Sequence, residues 1–400
     1  MGLKILVSAG EASGEMYASR LVAELRQRHP DATFFGCAGP KMRAAGVRNV
    51  IDAEALSVVG LIEVVSHIPR IYGEFRKLVR AANREKPDLA ILTDSPDFHF
   101  RLAKQLKKQG VPVVYYVAPQ VWAWRQGRTR AMRRIIDLLV CIFPFERKFF
   151  AEHGIHAFYS GHPLTRMYLA DKTRAVFRAE HGFNDASPVI GLLPGSRRGE
   201  WERHLPLLLE TVTALRKTHQ AQFALAVPDS GFPLTDSTNW RKRISDLSIQ
   251  MIEGDTWNLL AHCDVLLAAS GTVTVEAALA GTPMVTYYRV APLSWMVGRR
   301  FVKVPHLTMV NLVAGKRIVP EYMQDEATAA TLAGALRELL DSPEKQRQMR
   351  ADLKQVRTLL EGDDDPISRA ADEIDQMLRQ SRKNARSTEQ SLGSKVVQPD

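Results

Sequence analysis

Residues 263–288, CDVLLAASGTVTVEAALAGTPMVTYY, constrain the fold of this chain more than any other stretch. An apolar run at 265–268 leads into the turn Ser270-Gly271-Thr272. A helical pattern over 273–280 follows, then a Gly-Thr-Pro stop and a second apolar run. That succession predicts a βαβ unit of a parallel sheet. Small residues at the turn let the backbone approach a ligand, and the helix start points unpaired N–H groups at it, a geometry suited to a phosphate. Glu276 lies four residues after Thr272, on the same helix face one turn deeper. It is too deep for the same phosphate but placed to accept hydrogen bonds from sugar hydroxyls. An ordinary strand–helix crossover with a solvated glutamate fits these residues too.

The same alternation extends through most of the chain. A first series of strands is expected at 3–8, 33–37, 89–92, 113–117, 138–142 and 157–159, with helices at 15–27, 68–83, 98–108 and 145–153. A Gly-His-Pro turn at 161–163 and a polar stretch, 170–187, precede a second series at 189–193, 223–227, 249–252, 265–268 and 284–286. Two doubly wound α/β domains are therefore predicted, 1–165 and 166–340, with a ligand cleft at the carboxyl ends of their strands. Helices are expected at 326–340, 344–360 and 366–380. Those of 341–380 are expected to pack back on the first domain or on a partner copy, before a disordered basic tail at 381–400. Asp363-Asp364-Asp365 falls before Pro366, where acidic charge suits a helix start better than a metal.

Composition narrows the class. Of 400 residues 45% are hydrophobic and 24% charged, as in a soluble globular protein. No 18-residue uncharged apolar run predicts a membrane span. Three scattered cysteines, Cys37, Cys141 and Cys263, support neither a disulfide framework nor a zinc site, and a cytoplasmic protein is expected. The net charge of +10 asks for an acidic partner. Basic residues gather at 125–134, at Arg299-Arg300-Lys303 and at 379–386, without the interleaved aromatics of a nucleic-acid module. Apolar residues beside basic ones, Val58-Val59-Gly60-Leu61-Ile62 before Arg70 and Arg76, and 292–297 before Arg299, suit an anionic membrane surface or plain core packing.

Three further loops carry chemistry. Gly10-Glu11-Ala12-Ser13-Gly14-Glu15 lacks the dinucleotide spacing and sets Glu11, Ser13 and Glu15 where a hydroxylated acceptor sugar fits better than a diphosphate. Asp94 ends an apolar strand and is the expected general base, with Asp97 as helix cap or helper. Gly195-Ser196-Arg197, opening the first helix of the second domain, reads as an anion site. A surface loop with solvated arginines fits the last of these too, but together the loops fit a transferase in which a nucleotide diphosphate leaves from the second domain while the first deprotonates an acceptor.

Gly10-Glu11-Ala12-Ser13-Gly14, Ser95-Pro96-Asp97-Phe98, Val121-Trp122-Ala123-Trp124-Arg125, Leu193-Pro194-Gly195-Ser196-Arg197, Ala269-Ser270-Gly271-Thr272 and Asn311-Leu312-Val313-Ala314-Gly315 resemble the lipid-A-disaccharide synthase family, in motif order over about residues 3–380. The resemblance implies a GT-B-like fold and an inverting, metal-independent glycosyltransferase without cofactor. It implies UDP-2,3-diacylglucosamine as donor and 2,3-diacylglucosamine 1-phosphate as acceptor, giving a β-1,6 disaccharide phosphate and UDP. By motif, Asp94 is the proposed base, Arg197, Glu276 and Asn311 serve the UDP-sugar, and Ser13 the cleft. Peripheral contact with the inner face of the cytoplasmic membrane is expected, nucleic acid is not, and a homodimer is left open. Glu15, His99 and Val310 depart from the family's usual Asp, Asn and Pro. A UDP-sugar epimerase or another GT-B-type transferase is the alternative.

Overall fold

Strands that are covered on both faces by helices need apolar side chains on both sides, and the chain supplies them: every residue of Leu89–Thr93, Val189–Leu193 and Val265–Ala269 is buried. The computed structural model describes residues 2–56, 61–228, 239–291, 295 and 304–393. The chain divides into two units, one of Met1–Pro163 with Glu361–Asp400, the other of Leu164–Leu360.

In the first unit β1 (Lys4–Ala9), β2 (Thr33–Ala38), β3 (Val47–Asp52), β4 (Leu89–Thr93), β5 (Val113–Tyr116), β6 (Leu138–Cys141) and β7 (Ala157–Tyr159) form one parallel sheet in the order β3-β2-β1-β4-β5-β6-β7. In the second, β8 (Val189–Leu193), β9 (Gln222–Val227), β10 (Ile249–Glu253), β11 (Val265–Ala269), β12 (Met284–Tyr288) and β13 (Glu321–Met323) are ordered β10-β9-β8-β11-β12-β13. Both are doubly wound. The order reverses between β1 and β4 in one sheet and between β8 and β11 in the other, and ligands of such sheets bind outside the carboxyl ends at that reversal.

Two strands were not expected. β3 and β13 are edge strands only partly buried, so neither shows a continuous apolar run. The terminal helices also differ from expectation. Helix Pro343–Glu361 belongs almost wholly to the second unit, and only the last helix, Pro366–Gly393, joins the first. It is fixed there by buried Ala370, Ala371 and Ile374 and by polar links to helix Ala12–Arg28: Arg28 donates to Asp372 at 2.5 Å and to Ser368 Oγ at 2.6 Å, and His29 meets Asp375 at 2.7 Å. Asp365 caps this helix by accepting the Ile367 and Ser368 amides, each at 2.9 Å. The helix runs on to Gly393, into the stretch expected to be disordered, because residues 381–392 contain neither Gly nor Pro. The apolar–basic segments at 58–60 and 292–303, Trp295 aside, and the end of the tail at 394–400 lie outside the described residues.

Candidate active site

At the reversal point of the first sheet, β1 ends in Ala9-Gly10-Glu11 and β4 ends in Asp94. Asp94, Ser95 and Val117 have φ of +56°, +38° and +68°. Left-handed backbone costs a non-glycine residue about 1–3 kcal/mol and persists only where the surroundings impose it. Here three such residues sit at the carboxyl ends of the neighbouring strands β4 and β5. Asp94 is held from both sides. Its carboxylate accepts the Gly10 amide at 2.8 Å and the Glu11 amide at 3.0 Å. Its backbone carbonyl accepts the His99 Nδ1–H at 2.8 Å and the Tyr115 hydroxyl. A side chain at Gly14 would place Cβ 1.9 Å from Asp94 Oδ2. Gly14 is thus explained by this carboxylate and not by a dinucleotide turn. Burial outweighs the two amides and pushes the Asp94 carboxyl up to about 7, where a general base works near neutrality.

The other acids expected in this unit part company. Glu11 is half-buried and N-caps helix Ala12–Arg28, and its like charge adds to the upward shift of Asp94. Ser13 is half-buried in the first turn of that helix. Glu15 is buried and turned away: its carboxylate accepts the Lys41 and Met42 amides at 2.7 and 3.2 Å, capping the short helix Pro40–Ala44 instead of meeting an acceptor. Asp97 does not cap a helix, because helix Pro96–Lys108 starts earlier than expected and Ser95 holds the N-cap position. Its side chain is 71% exposed and pairs with Arg128 and with Arg125 at 3.5 Å.

At the reversal point of the second sheet the expected anion turn is already occupied. Glu200 accepts the Ser196 amide at 2.9 Å, the Arg197 amide at 3.0 Å and the Tyr288 hydroxyl at 2.7 Å. Gly195 has φ +111°, and a Cβ there would meet the Glu200 carboxylate at 2.4 Å. The turn's amides therefore serve the protein's own glutamate, and the half-exposed Arg197 guanidinium lies 3.7 Å from it. The turn after β11 is different. Gly271 is extended, and a Cβ there would meet nothing within 4 Å. Ser270 Oγ donates to the Leu307 carbonyl at 3.2 Å, and Thr272 is exposed at the start of helix Thr272–Ala280, whose first amides have no acceptor within the helix. Glu276, half-buried, has its carboxyl pushed up to about 7 by burial, opposed by a hydrogen bond with Trp257.

Asn311 does not join this set. It is fully buried, its amide nitrogen donates to the Val319 carbonyl and the Glu321 carboxylate, and its oxygen accepts the Ile318 and Val319 amides. Two donors and two acceptor sites are its full capacity, so it braces the 315–321 turn with nothing left for a nucleotide. Glu180, His181 and Asp255 bring three ligand atoms within 4.8 Å of one another, but Lys172 Nζ lies 2.7 Å from both carboxylates and supplies the cation. No helix among the described residues is long and apolar enough to cross a membrane.

Sequence reasoning missed Ser8 and Tyr115, and noted His99 only as a departure from the family's usual Asn. All three are fully buried, and Ser8 and Tyr115 lie in apolar runs where nothing in the sequence separates them from core. Glu200 could have been found, since a glutamate three residues after the residue that opens a helix is the capping-box signal.

The family described as lipid-A-disaccharide synthetase matches residues 5–374. A lipid-A-disaccharide synthase of Solibacter usitatus is 52% identical over 375 residues, covering 94% of this chain and 97% of that one. Another, of Koribacter versatilis, is 43% identical over 364 residues, covering 90% and 94%. Among solved structures, UDP-GlcNAc 2-epimerase of Neisseria meningitidis bound to UDP-GlcNAc aligns with a TM-score of 0.63 at 15% identity, covering 94% of this chain and all of that one. The glycotransferase of kitacinnamycin gives 0.63 at 17%, covering 94% and 99%. At such identities these two speak for the GT-B-like fold alone, which an epimerase and a transferase share. The sequence relatives decide between them: the chain belongs to the lipid-A-disaccharide synthase family of glycosyltransferases.

Proposed function

We propose that the chain transfers a 2,3-diacylglucosaminyl group from its UDP carrier to the 6-hydroxyl of 2,3-diacylglucosamine 1-phosphate. The observation that carries this reading is Asp94, a carboxylate at the sheet's reversal point whose carboxyl is raised to about 7. In the reaction the hydroxyl oxygen attacks the donor's anomeric carbon as the bond to the diphosphate oxygen breaks. The hydroxyl proton passes to Asp94, and UDP leaves with the bonding electrons. A single displacement inverts the anomeric centre and gives the β-1,6 linkage. Negative charge gathers on the departing diphosphate, where Arg197 and the helix start at Thr272 would meet it without a metal ion. Glu276, one turn further in, would accept hydrogen bonds from the ribose. Glu11 and Ser13 would face the acceptor sugar.

Peripheral contact with anionic lipid belongs to the same reading. Arg130, Arg133 and Arg134, which have no carboxylate partner among the described residues, line a groove of ≈ 600 Å³ together with His153. Unpaired guanidinium groups beside open space suit phosphate headgroups. Flotation with liposomes that contain anionic phospholipid should retain the protein; failure to float removes this part of the reading.

The deciding experiment measures UDP release from the donor with and without acceptor, in the presence of a chelator, for the wild type, Asp94→Ala and Arg197→Ala. Acceptor-dependent release that survives chelation and collapses in both variants is expected. Release without acceptor would instead indicate a hydrolase or an epimerase-like activity.

A further inference from the structure

We propose that His99, acting with Tyr115 and Ser8, is the positioning residue that aims the base: it fixes the backbone of Asp94 so that the carboxylate stays on the Gly10 and Glu11 amides. The inference rests on the reading of Asp94 as base and gives a role to His99, which the sequence marks only as a departure from the family's usual Asn.

The argument starts from proton inventory. The Asp94 carbonyl oxygen can only accept, so the His99 Nδ1 that lies 2.8 Å from it must carry a proton. A ring buried as completely as this one is held neutral, its pKa pushed down to about 4 by burial. Nε2 therefore has a lone pair, and the Ser8 hydroxyl, 2.7 Å away, donates to it. Ser8 belongs to the interior strand β1, so the chain of contacts ties the last residue before the β4–helix turn to the neighbouring strand. Tyr115, from β5 on the other side, supplies the second donor to the same carbonyl. One carbonyl oxygen thus takes both of its hydrogen bonds from side chains on two different elements.

What these bonds oppose is visible in the dihedral angles. Asp94 and Ser95 are consecutive left-handed residues, and neither is a glycine. Left to local preference, the pair would relax to an ordinary strand end. With β4 fixing the preceding backbone and the helix start fixing the following one, relaxation of this pair requires φ and ψ of Asp94 to change together, which reorients its α-carbon and the Cα–Cβ bond with it. Two donors on the carbonyl oppose that rotation, so the carboxylate is set before any substrate arrives. Preorganisation of this kind changes the rate of the chemical step more than the affinity for either substrate.

Two isosteres separate the bond to Asp94 from the bond to Ser8. Asparagine places its amide nitrogen near the Nδ1 position and keeps the donor to the Asp94 carbonyl. Glutamine reaches the Nε2 position and keeps only the Ser8 contact. His99→Asn should hold kcat within about threefold of the wild type. His99→Gln and Tyr115→Phe should each lower kcat about tenfold with both KM values unchanged, the effect of one lost hydrogen bond. Amide hydrogen exchange at Gly10 and Glu11 gives an independent view, since these amides donate to the carboxylate. Their protection should fall in the glutamine and phenylalanine variants and hold in the asparagine variant. Equal losses of kcat in His99→Asn and His99→Gln would overturn the inference, as would unchanged kcat and unchanged exchange in both His99→Gln and Tyr115→Phe. Lost protection with full kcat would show that the carboxylate moved without consequence; it overturns the role of Asp94 as base, and the inference with it. Tyr115→Phe keeps the ring's volume, so it reports even if a histidine variant folds poorly.

Discussion

Asp94→Asn removes a titrating group while nearly preserving its shape, and the consequence for stability can be worked out with its sign. In the unfolded chain the carboxyl ionises near 3.9, whereas in the folded chain burial raises it to about 7. Between those values the folded state still holds a proton that the unfolded state has released. The native state is then favoured at low pH, and this advantage is lost as pH rises from about 4 through about 7. Three pH units at 1.36 kcal/mol each make about 4 kcal/mol across the whole window, and roughly 2–3 kcal/mol of it falls between pH 5 and pH 8. Solvent screening takes little from this, since the side chain is only 11% exposed. Asparagine cannot ionise and lacks the slope. It also cannot accept from both the Gly10 and Glu11 amides, which adds a constant cost of about 1–3 kcal/mol at every pH. The quantity to measure is therefore the difference in unfolding free energy between wild type and variant, by denaturant titration of the full chain at several pH values. The wild type should lose ground to the variant as pH rises. A difference that stays flat between pH 5 and pH 8 would refute the raised ionisation, and with it the expectation that kcat/KM climbs through about pH 7.

Gly271→Ala should leave the melting temperature unchanged, because nothing lies within 4 Å of the new methyl group, while raising the KM for the UDP-sugar several-fold. An unchanged KM would mean that no ligand comes close at this turn. Gly14→Ala should fail differently: its Cβ would fall 1.9 Å from Asp94 Oδ2, so kcat should drop at least tenfold and stability should fall with it. Asn311→Ala strands the Ile318 and Val319 amides and should cost about 2–4 kcal/mol by denaturant titration, with the donor's KM unaffected in the folded fraction. Asp97→Ala breaks only exposed ion pairs, and should change stability by less than about 1 kcal/mol and kcat by less than about threefold.

Much of the fold was legible because a parallel sheet covered on both faces writes its strands as unbroken apolar runs, as in Leu89–Thr93 and Val265–Ala269. β3 and β13 were not legible because each is an edge strand with polar residues among its apolar ones. At the site, the strand-end loops were found in the right places, yet their contents were partly misjudged. A sequence shows where backbone amides gather but not which side chain has already claimed them. Asp94 reaches the Gly10 and Glu11 amides from more than eighty positions away. Asn311 sits in an apolar helix between Val310 and Leu312, and whether such an amide faces a ligand or a neighbouring turn is decided by folding alone.

The glycines of three of these loops show how the structure sorts these cases. Gly10, Gly14 and Gly195 are each required by the protein itself: a side chain there would strike Ser95 Oγ at 2.5 Å, Asp94 Oδ2 at 1.9 Å or Glu200 Oε2 at 2.4 Å. Their presence is explained without any ligand. Gly271 has neither reason, since its backbone is extended and the space beside it is empty. Such a glycine is not by itself the mark of a ligand, since Gly127 also has open space and no positive φ, but at this turn it leaves room for one. With the helix start at Thr272 and Glu276 one turn deeper, that room suits a ligand with a phosphate at one end and hydroxyl groups at the other. On the proposed reading the donor nucleotide is therefore sought at the turn after β11, where the Gly195 turn would contribute the Arg197 side chain in place of its backbone amides.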